Sequence, residues 1–284
     1  MQQCSLIHSY WSQFHSSIQT FTQFHEVCSI RILLERHDGF VLVIKLNSFC
    51  NMGSALSSLV FQPPEITYIH ARKHLIWLRT HKNAKIPAFY LDRRSTVTII
   101  FSHGNAEDLG MIYEHCVEFT REINVNLIAY DYEGYGKASG APSEQGCYDD
   151  IDAAYAFLTD VLHQKPQSIV LYGRSLGSGP SCYLAERLGR SNIRVGGLVL
   201  QSPLLSVYRV AFNFRFTMPG DMFPNVDRIA NICCPLLVIH GTRDEVVPFW
   251  NGESLFLDAP VCWRARLGLI LDFDLFVIAD QPIS

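Results

Sequence analysis

Three short stretches of this chain carry residue types at spacings that could do chemistry. The first is Gly173-Arg174-Ser175-Leu176-Gly177, just behind the apolar run Ile169 to Leu171. A serine hydroxyl becomes a useful nucleophile when a sharp turn exposes it and a base takes its proton. Glycines two residues away on each side keep such a turn free of side chains. A strand, then Gly-x-Ser-x-Gly, then a helix is the nucleophile elbow. It makes Ser175 the candidate nucleophile and Gly173 and Gly177 the elbow glycines. It also aims the Leu176 N–H and a helix N-terminus at a developing oxyanion. The plain alternative is an ordinary strand-to-helix turn.

The second stretch is "SHGNAEDLG" (102–110). Gly104 permits a close backbone turn, and the Asn105 N–H is the expected second oxyanion donor, with Ala106 the alternative. His103 is expected to order this loop through its ring hydrogen bonds rather than to act as base. The third stretch is "HGTRDEVVP" (240–248). Asp244 falls just past a strand end, where functional groups gather in an open sheet. A carboxylate there would hold an imidazole in its useful tautomer. Glu245 is the weaker candidate, and a solvated turn is the plain alternative. The order Ser, Asp, His requires a histidine after Asp244. His240 is the last histidine in the sequence, so no catalytic base is identifiable.

Elements must position these groups. "VTIIFS" (97–102), "NLIAYD" (126–131), "SIVLYG" (168–173), "VGGLVLQS" (195–202) and "PLLVIHG" (235–241) read as buried strands. Helices are expected at about 109–122, 150–162 and 178–188. Strands alternating with helices predict right-handed crossovers and a mostly parallel sheet covered on both faces. Residues 203 to 232 read as a short excursion over the sheet edge. Its aromatic residues, Phe212, Phe214, Phe216 and Phe223, suit either an acyl-binding groove or core packing. A short strand is expected at 275–279 and another at 41–44.

Composition narrows the function. With 284 residues, 48% hydrophobic and 18% charged, the chain can bury a sizeable core. A formal net charge of -4 gives no reason to expect a nucleic-acid partner. The nine cysteines include no CxxC pair, and Cys233-Cys234 cannot supply a spaced cluster, so neither a metal nor a cofactor is expected. Their odd count without a secretory signal favours reduced thiols in the cytosol. Neither a signal peptide nor a membrane-spanning run is legible. Residues 1–51 read as an unpatterned extension that native translation would omit. "MGSALS" from Met52 fits N-myristoylation of Gly53. The expected layout is then an anchor and lead-in at 52–96, a hydrolase core at 97–262 and an atypical tail at 263–284.

These motifs, with "FQPPEITY" (61–68), "YDYEGYGKASGAPSE" (130–144), "DIDAAY" (150–155), "SPLLS" (202–206) and "FPNVDRI" (223–229), carry a family resemblance. The chain resembles the alpha/beta-hydrolase domain-containing 17 family of depalmitoylating serine hydrolases and its plant and protist relatives, over roughly residues 61 to 258. The resemblance implies an α/β-hydrolase fold and hydrolysis of acyl thioesters on S-acylated proteins at membranes. It implies Ser175 as nucleophile and Asp244 as triad acid. It further implies a cytoplasmic protein, peripheral on the cytosolic face of the plasma membrane or endosomes. The family's histidine follows a further helix and strand in a Gly-His context, which residues 263–284 do not contain. The animal members' cysteine-rich N-terminus also has no counterpart between Met52 and Cys116. Activity is therefore expected to be impaired. The competing expectation is an inactive α/β-hydrolase-like binding protein.

Overall fold

The computed structural model describes residues 60–68, 75–212, 220–260 and 262, together with three strands at 31–35, 41–45 and 275–278. The chain divides into two units, Met1–Val60 and Phe61–Ser284. In the first, β1 (Arg31–Glu35) and β2 (Val41–Lys45) pair antiparallel. The strand expected at 41–44 thus has a partner.

The second unit is built on a sheet of eight strands. These are β3 (Leu75–Arg79), β4 (Lys85–Leu91), β5 (Thr98–Ser102), β6 (Asn126–Tyr130), β7 (Ile169–Arg174), β8 (Gly197–Gln201), β9 (Leu236–Gly241) and β10 (Leu275–Ile278). Their order is β10-β9-β8-β7-β5-β6-β4-β3. The inner run from β6 through β5, β7 and β8 to β9 is parallel. Antiparallel strands close both sides, β4 and β3 at one edge and β10 at the other. Every residue of β5 and β6 is buried, as a strand with both faces covered demands. The lead-in expected at 52–96 thus contributes two strands to the sheet.

Helices connect the parallel strands. Helix α1 (Leu109–Ile123) follows β5 and starts at Asp108, whose side chain accepts the Met111 N–H; it ends at Asn124 in the left-handed conformation (φ 51°). Its buried side chains Leu109, Ile112 and Cys116 pack with Phe89, Ile99, Phe101 and Leu127. Helix α2 (Glu144–Ala156) begins earlier than the pattern of 150–162 suggests. Ser143 is its N-cap, accepting the Gly146 N–H at 2.9 Å, and a π-helical turn continues it to Val161. Helix α3 (Ser178–Arg190) follows β7, α4 (Val207–Phe212) and α5 (Asn225–Arg228) lie in the excursion, and α6 (Trp250–Asp258) follows β9. No helix among the described residues is long and apolar enough to cross a membrane.

Candidate active site

Ser175 stands at the carboxyl end of β7, on a single 3-10 turn (Ser175–Gly177) that leads into α3. Its φ is +50°, a left-handed backbone that a residue with a Cβ adopts only under constraint. The constraint comes from crowding. A Cβ on Gly173 would sit 2.5 Å from the Gly177 carbonyl oxygen, and one on Gly177 would collide with the Ser102 carbonyl. Backbone therefore occupies the space on both sides of the serine, which explains why only glycine serves at those two positions. Leu176 is buried at the start of the turn.

A buried polar cluster holds the turn from below. Ser178 donates its hydroxyl to the Ser175 carbonyl at 2.6 Å and accepts from Leu204 N–H (3.3 Å) and Asn225 Nδ2 (3.2 Å). One donor and two acceptor sites are the full capacity of a hydroxyl. Asn225 also donates to the Leu204 carbonyl at 2.8 Å. Two distant segments are thereby locked onto the elbow. Phe223, itself at φ +51°, packs its ring over Gly179, with Phe61 at 6.1 Å and Tyr148 at 5.7 Å between ring centroids. It is fully buried, so of the two readings for the excursion's aromatics, this residue is core packing. Phe214 and Phe216 lie outside the described residues, as does the side chain of Phe212.

The loop after β5 lies beside the elbow because β5 and β7 are sheet neighbours, with Ser102 opposite Gly173. His103 is fully buried. Its Nδ1 donates to the Gly104 carbonyl at 2.8 Å, and its Nε2 faces Asp131 Oδ1 at 3.4 Å. The Tyr132 hydroxyl donates to the His103 carbonyl at 2.7 Å. This histidine ties down its own loop. Asn105 is fixed through its side chain, whose Oδ1 accepts from the Tyr135 hydroxyl (2.6 Å) and the Gln62 N–H (3.0 Å). Ala106 is in the left-handed region at φ +55°. Asp108, the α1 cap, also accepts from the Thr67 N–H at 2.7 Å. Tyr68 donates to Asp131, which in turn accepts the Leu109 N–H at 2.9 Å. The segment Phe61–Tyr68 thus straps the loop in place, a role that no local pattern in "FQPPEITY" announces.

Asp244 follows β9 in a tight turn. Its Oδ1 accepts from the Val246 N–H (3.0 Å) and the Val247 N–H (2.9 Å), while Oδ2 lies 3.6 Å from His240 Nε2. One carboxylate oxygen therefore shapes the turn, as the turn reading of this aspartate expects, and the other faces the His240 ring. Glu245 is exposed in the same turn. His240 is fully buried within β9 and donates Nε2–H to the Val247 carbonyl at 2.8 Å. Burial pushes its pKa below the ordinary value of 6.5. Gly252 of α6 leaves no room beside Nδ1.

The arrangement brings Ser175, the 102–108 loop and the Asp244 turn to the same carboxyl edge of the sheet. Gly53 lies outside the described residues. No group of three or more His, Cys, Asp or Glu side chains suited to a metal ion occurs among the described residues.

Comparison with known proteins fits this geometry. The family model for serine aminopeptidase, S33, matches residues 93–227. The alpha/beta hydrolase domain-containing protein 17B of Homo sapiens is 36% identical over 233 residues, covering 72% of this chain and 79% of the relative. The chain belongs to the alpha/beta hydrolase domain-containing protein 17 family. Another member, protein 17C of Mus musculus, is 43% identical over 167 residues, covering 58% of this chain and 51% of that protein. Among solved structures, an esterase from Pyrococcus furiosus superposes with a TM-score of 0.58 at 19% identity, covering 70% of this chain and 84% of its own. That likeness shows the α/β-hydrolase fold. Family and fold together make the chain a hydrolase by descent, with the sheet and helices that the sequence pattern predicts.

Proposed function

We propose that the chain is built as a serine hydrolase of the acyl-protein thioesterase type, acting on S-acylated proteins at membranes through a covalent acyl-serine. The observation that carries the reading is the left-handed backbone of Ser175 at the β7–α3 turn, hemmed in by backbone on both sides. In this mechanism Ser175 Oγ adds to the acyl carbonyl carbon and its proton passes to a base. The Leu176 and Asn105 N–H groups donate to the tetrahedral oxyanion. The thiol leaves with a proton, water adds to the acyl-serine, and the carboxylic acid departs. Asp244 Oδ2 is the oxygen available to orient the base. Membrane residence comes from an acyl chain on Gly53 together with a second signal, since one myristoyl chain anchors only marginally.

The base is the missing part. His103 is enclosed, with Nδ1 committed to Gly104 and Nε2 turned to Asp131. His240 is enclosed as well, with Nε2 committed to Val247. Both rings are buried and each has one nitrogen committed to a backbone carbonyl, and His240 is the last histidine of the sequence. Turnover by the chain as it stands is therefore impaired. The same observation favours the second reading, an inactive hydrolase-like protein that binds acyl groups.

Fluorogenic thioester hydrolysis and fluorophosphonate labelling of purified 1–284 test this, beside Ser175→Ala and His103→Ala. Negligible turnover is expected, rising when a Gly-His-containing C-terminal segment is joined after residue 262. Robust turnover of 1–284 that Ser175→Ala abolishes would overturn the impairment. No turnover in either form, with acyl-chain binding intact, would favour the binding protein.

A further inference from the structure

The 102–108 loop is pinned on several sides. His103 is held by Tyr132, Asn105 by Gln62 and Tyr135, and Asp108 by Thr67. These ties all run to the β6 side of the loop or to the Phe61–Tyr68 strap. A different tie crosses to the elbow. Glu107 Oε2 accepts the Gly104 N–H at 2.7 Å and, at the same oxygen, Nη2–H of Arg174 at 2.5 Å. Gly104 immediately precedes Asn105, and Arg174 immediately precedes Ser175. One carboxylate oxygen thus joins the peptide before one expected oxyanion donor to the residue before the nucleophile. The guanidinium is braced in turn, lying 5.4 Å over the Phe101 ring, which itself stacks on Tyr172 at 5.1 Å. The bonds are charge-assisted, the stronger kind.

We infer that Glu107 is a positioning residue that sets the spacing between the two halves of the oxyanion site, and that Arg174 is its partner across the elbow. The inference rests on the serine-hydrolase reading and deepens it. The Asn105 and Leu176 N–H groups come from loops on different strands. The β5–β7 ladder and the close packing of Gly177 on the Ser102 carbonyl bring those loops together, and Glu107 adds a direct side-chain link between them. The side chains of Glu107 and Arg174 are 25% and 22% exposed, so salt reaches the pair. An oxyanion site spaced by such a pair becomes sensitive to ionic strength, whereas one spaced by buried hydrogen bonds alone does not.

The test needs a ligand that uses the oxyanion donors without a general base. n-Octylboronic acid serves: Ser175 Oγ adds to boron, the serine proton goes to solvent, and the equilibrium adduct is a tetrahedral boronate anion. The full chain is titrated and the adduct is read by boron NMR. Glu107→Gln and Arg174→Gln are each expected to weaken the adduct by about tenfold, the loss typical of a charge-assisted hydrogen bond. The double variant should be no worse than either single one, because they break one link. Thermal midpoints should stay within about 2 °C of wild type, since a partly exposed pair adds little stability. Raising NaCl from about 0.05 to about 0.5 M should weaken the wild-type adduct and leave Glu107→Gln unchanged, as screening at those strengths predicts. Arg190→Gln, which removes the surface pair with Glu186, should match wild type throughout. Equal adduct affinity in Glu107→Gln and wild type would sink the inference alone. A parallel fall in affinity and thermal midpoint would reduce Glu107 to a structural residue and also overturn it. An adduct absent from wild type, or persisting in Ser175→Ala, would remove the serine-hydrolase reading and the inference with it.

Discussion

Ser178 donates its hydroxyl to the carbonyl oxygen of Ser175 at 2.6 Å, so the first residue of α3 fastens the residue whose backbone is strained. The left-handed φ of Ser175 is maintained by this bond below and by the packed backbone of Gly173 and Gly177 beside it. The elbow stores conformational energy that the surrounding contacts offset.

That strain makes a stability prediction independent of catalysis. Ser175→Ala and Ser175→Gly remove the same hydroxyl. A Cβ in the left-handed region costs about 1 kcal/mol, a cost glycine avoids. Ser175→Gly should therefore be about 1 kcal/mol more stable than Ser175→Ala in urea denaturation. Identical midpoints for the two variants would show that the turn is not strained at this residue.

Stability should also fall on mild acidification because of His240. Its ring is buried, with Nε2–H on the Val247 carbonyl, Asp244 Oδ2 at 3.6 Å and the Phe249 ring at 5.7 Å. Burial lowers its folded-state pKa from 6.5. Below that pH the unfolded chain binds a proton that the folded chain refuses, so stability is lost as pH falls from 6.5 toward the lowered value. The slope from one such group is at most about 1.4 kcal/mol per pH unit. Asp150, Asp152 and Glu133 have carboxyls raised by burial and act in the opposite sense, losing stability as pH rises through their folded values. The comparison of wild type with His240→Gln isolates the histidine. Chemical denaturation at several pH values between 5 and 7 should give a flatter profile for the variant, and parallel profiles would refute the assignment.

The lipid anchor is decided by the native N-terminus. Mass spectrometry of N-terminal peptides from native protein should find Gly53 carrying a myristoyl group. Native peptides from residues 1–51 would exclude that start.

The sequence by itself determined the frame. Short β-branched runs alternating with amphipathic stretches specify parallel strands and covering helices, because both signals are local and periodic. The elbow was legible for a similar reason: glycine, serine and glycine at fixed offsets leave few turns that the backbone can make. The start of α2 was not legible. Glu144-Gln145-Gly146 is polar and glycine-containing, and the helix gains its first turns by burying Gly146, Cys147, Tyr148, Asp149 and Asp150. Those aspartates are tolerated there because Lys82 Nζ reaches Asp149 at 2.7 Å and the Glu133 N–H reaches Asp150 at 2.8 Å. Both partners lie far away in the chain.

The supports of the candidate site were equally out of reach. Gln62 with Asn105, Asn225 with Ser178, and Arg174 with Glu107 are separated by 43, 47 and 67 residues. Periodicity carries no information across such gaps. What the sequence determined was where the strands, the helices and the elbow motif fall along the chain. Only the tertiary structure decided what holds those residues still, because a hydrogen bond between distant segments exists only once the sheet has brought β5, β7 and β9 to one edge.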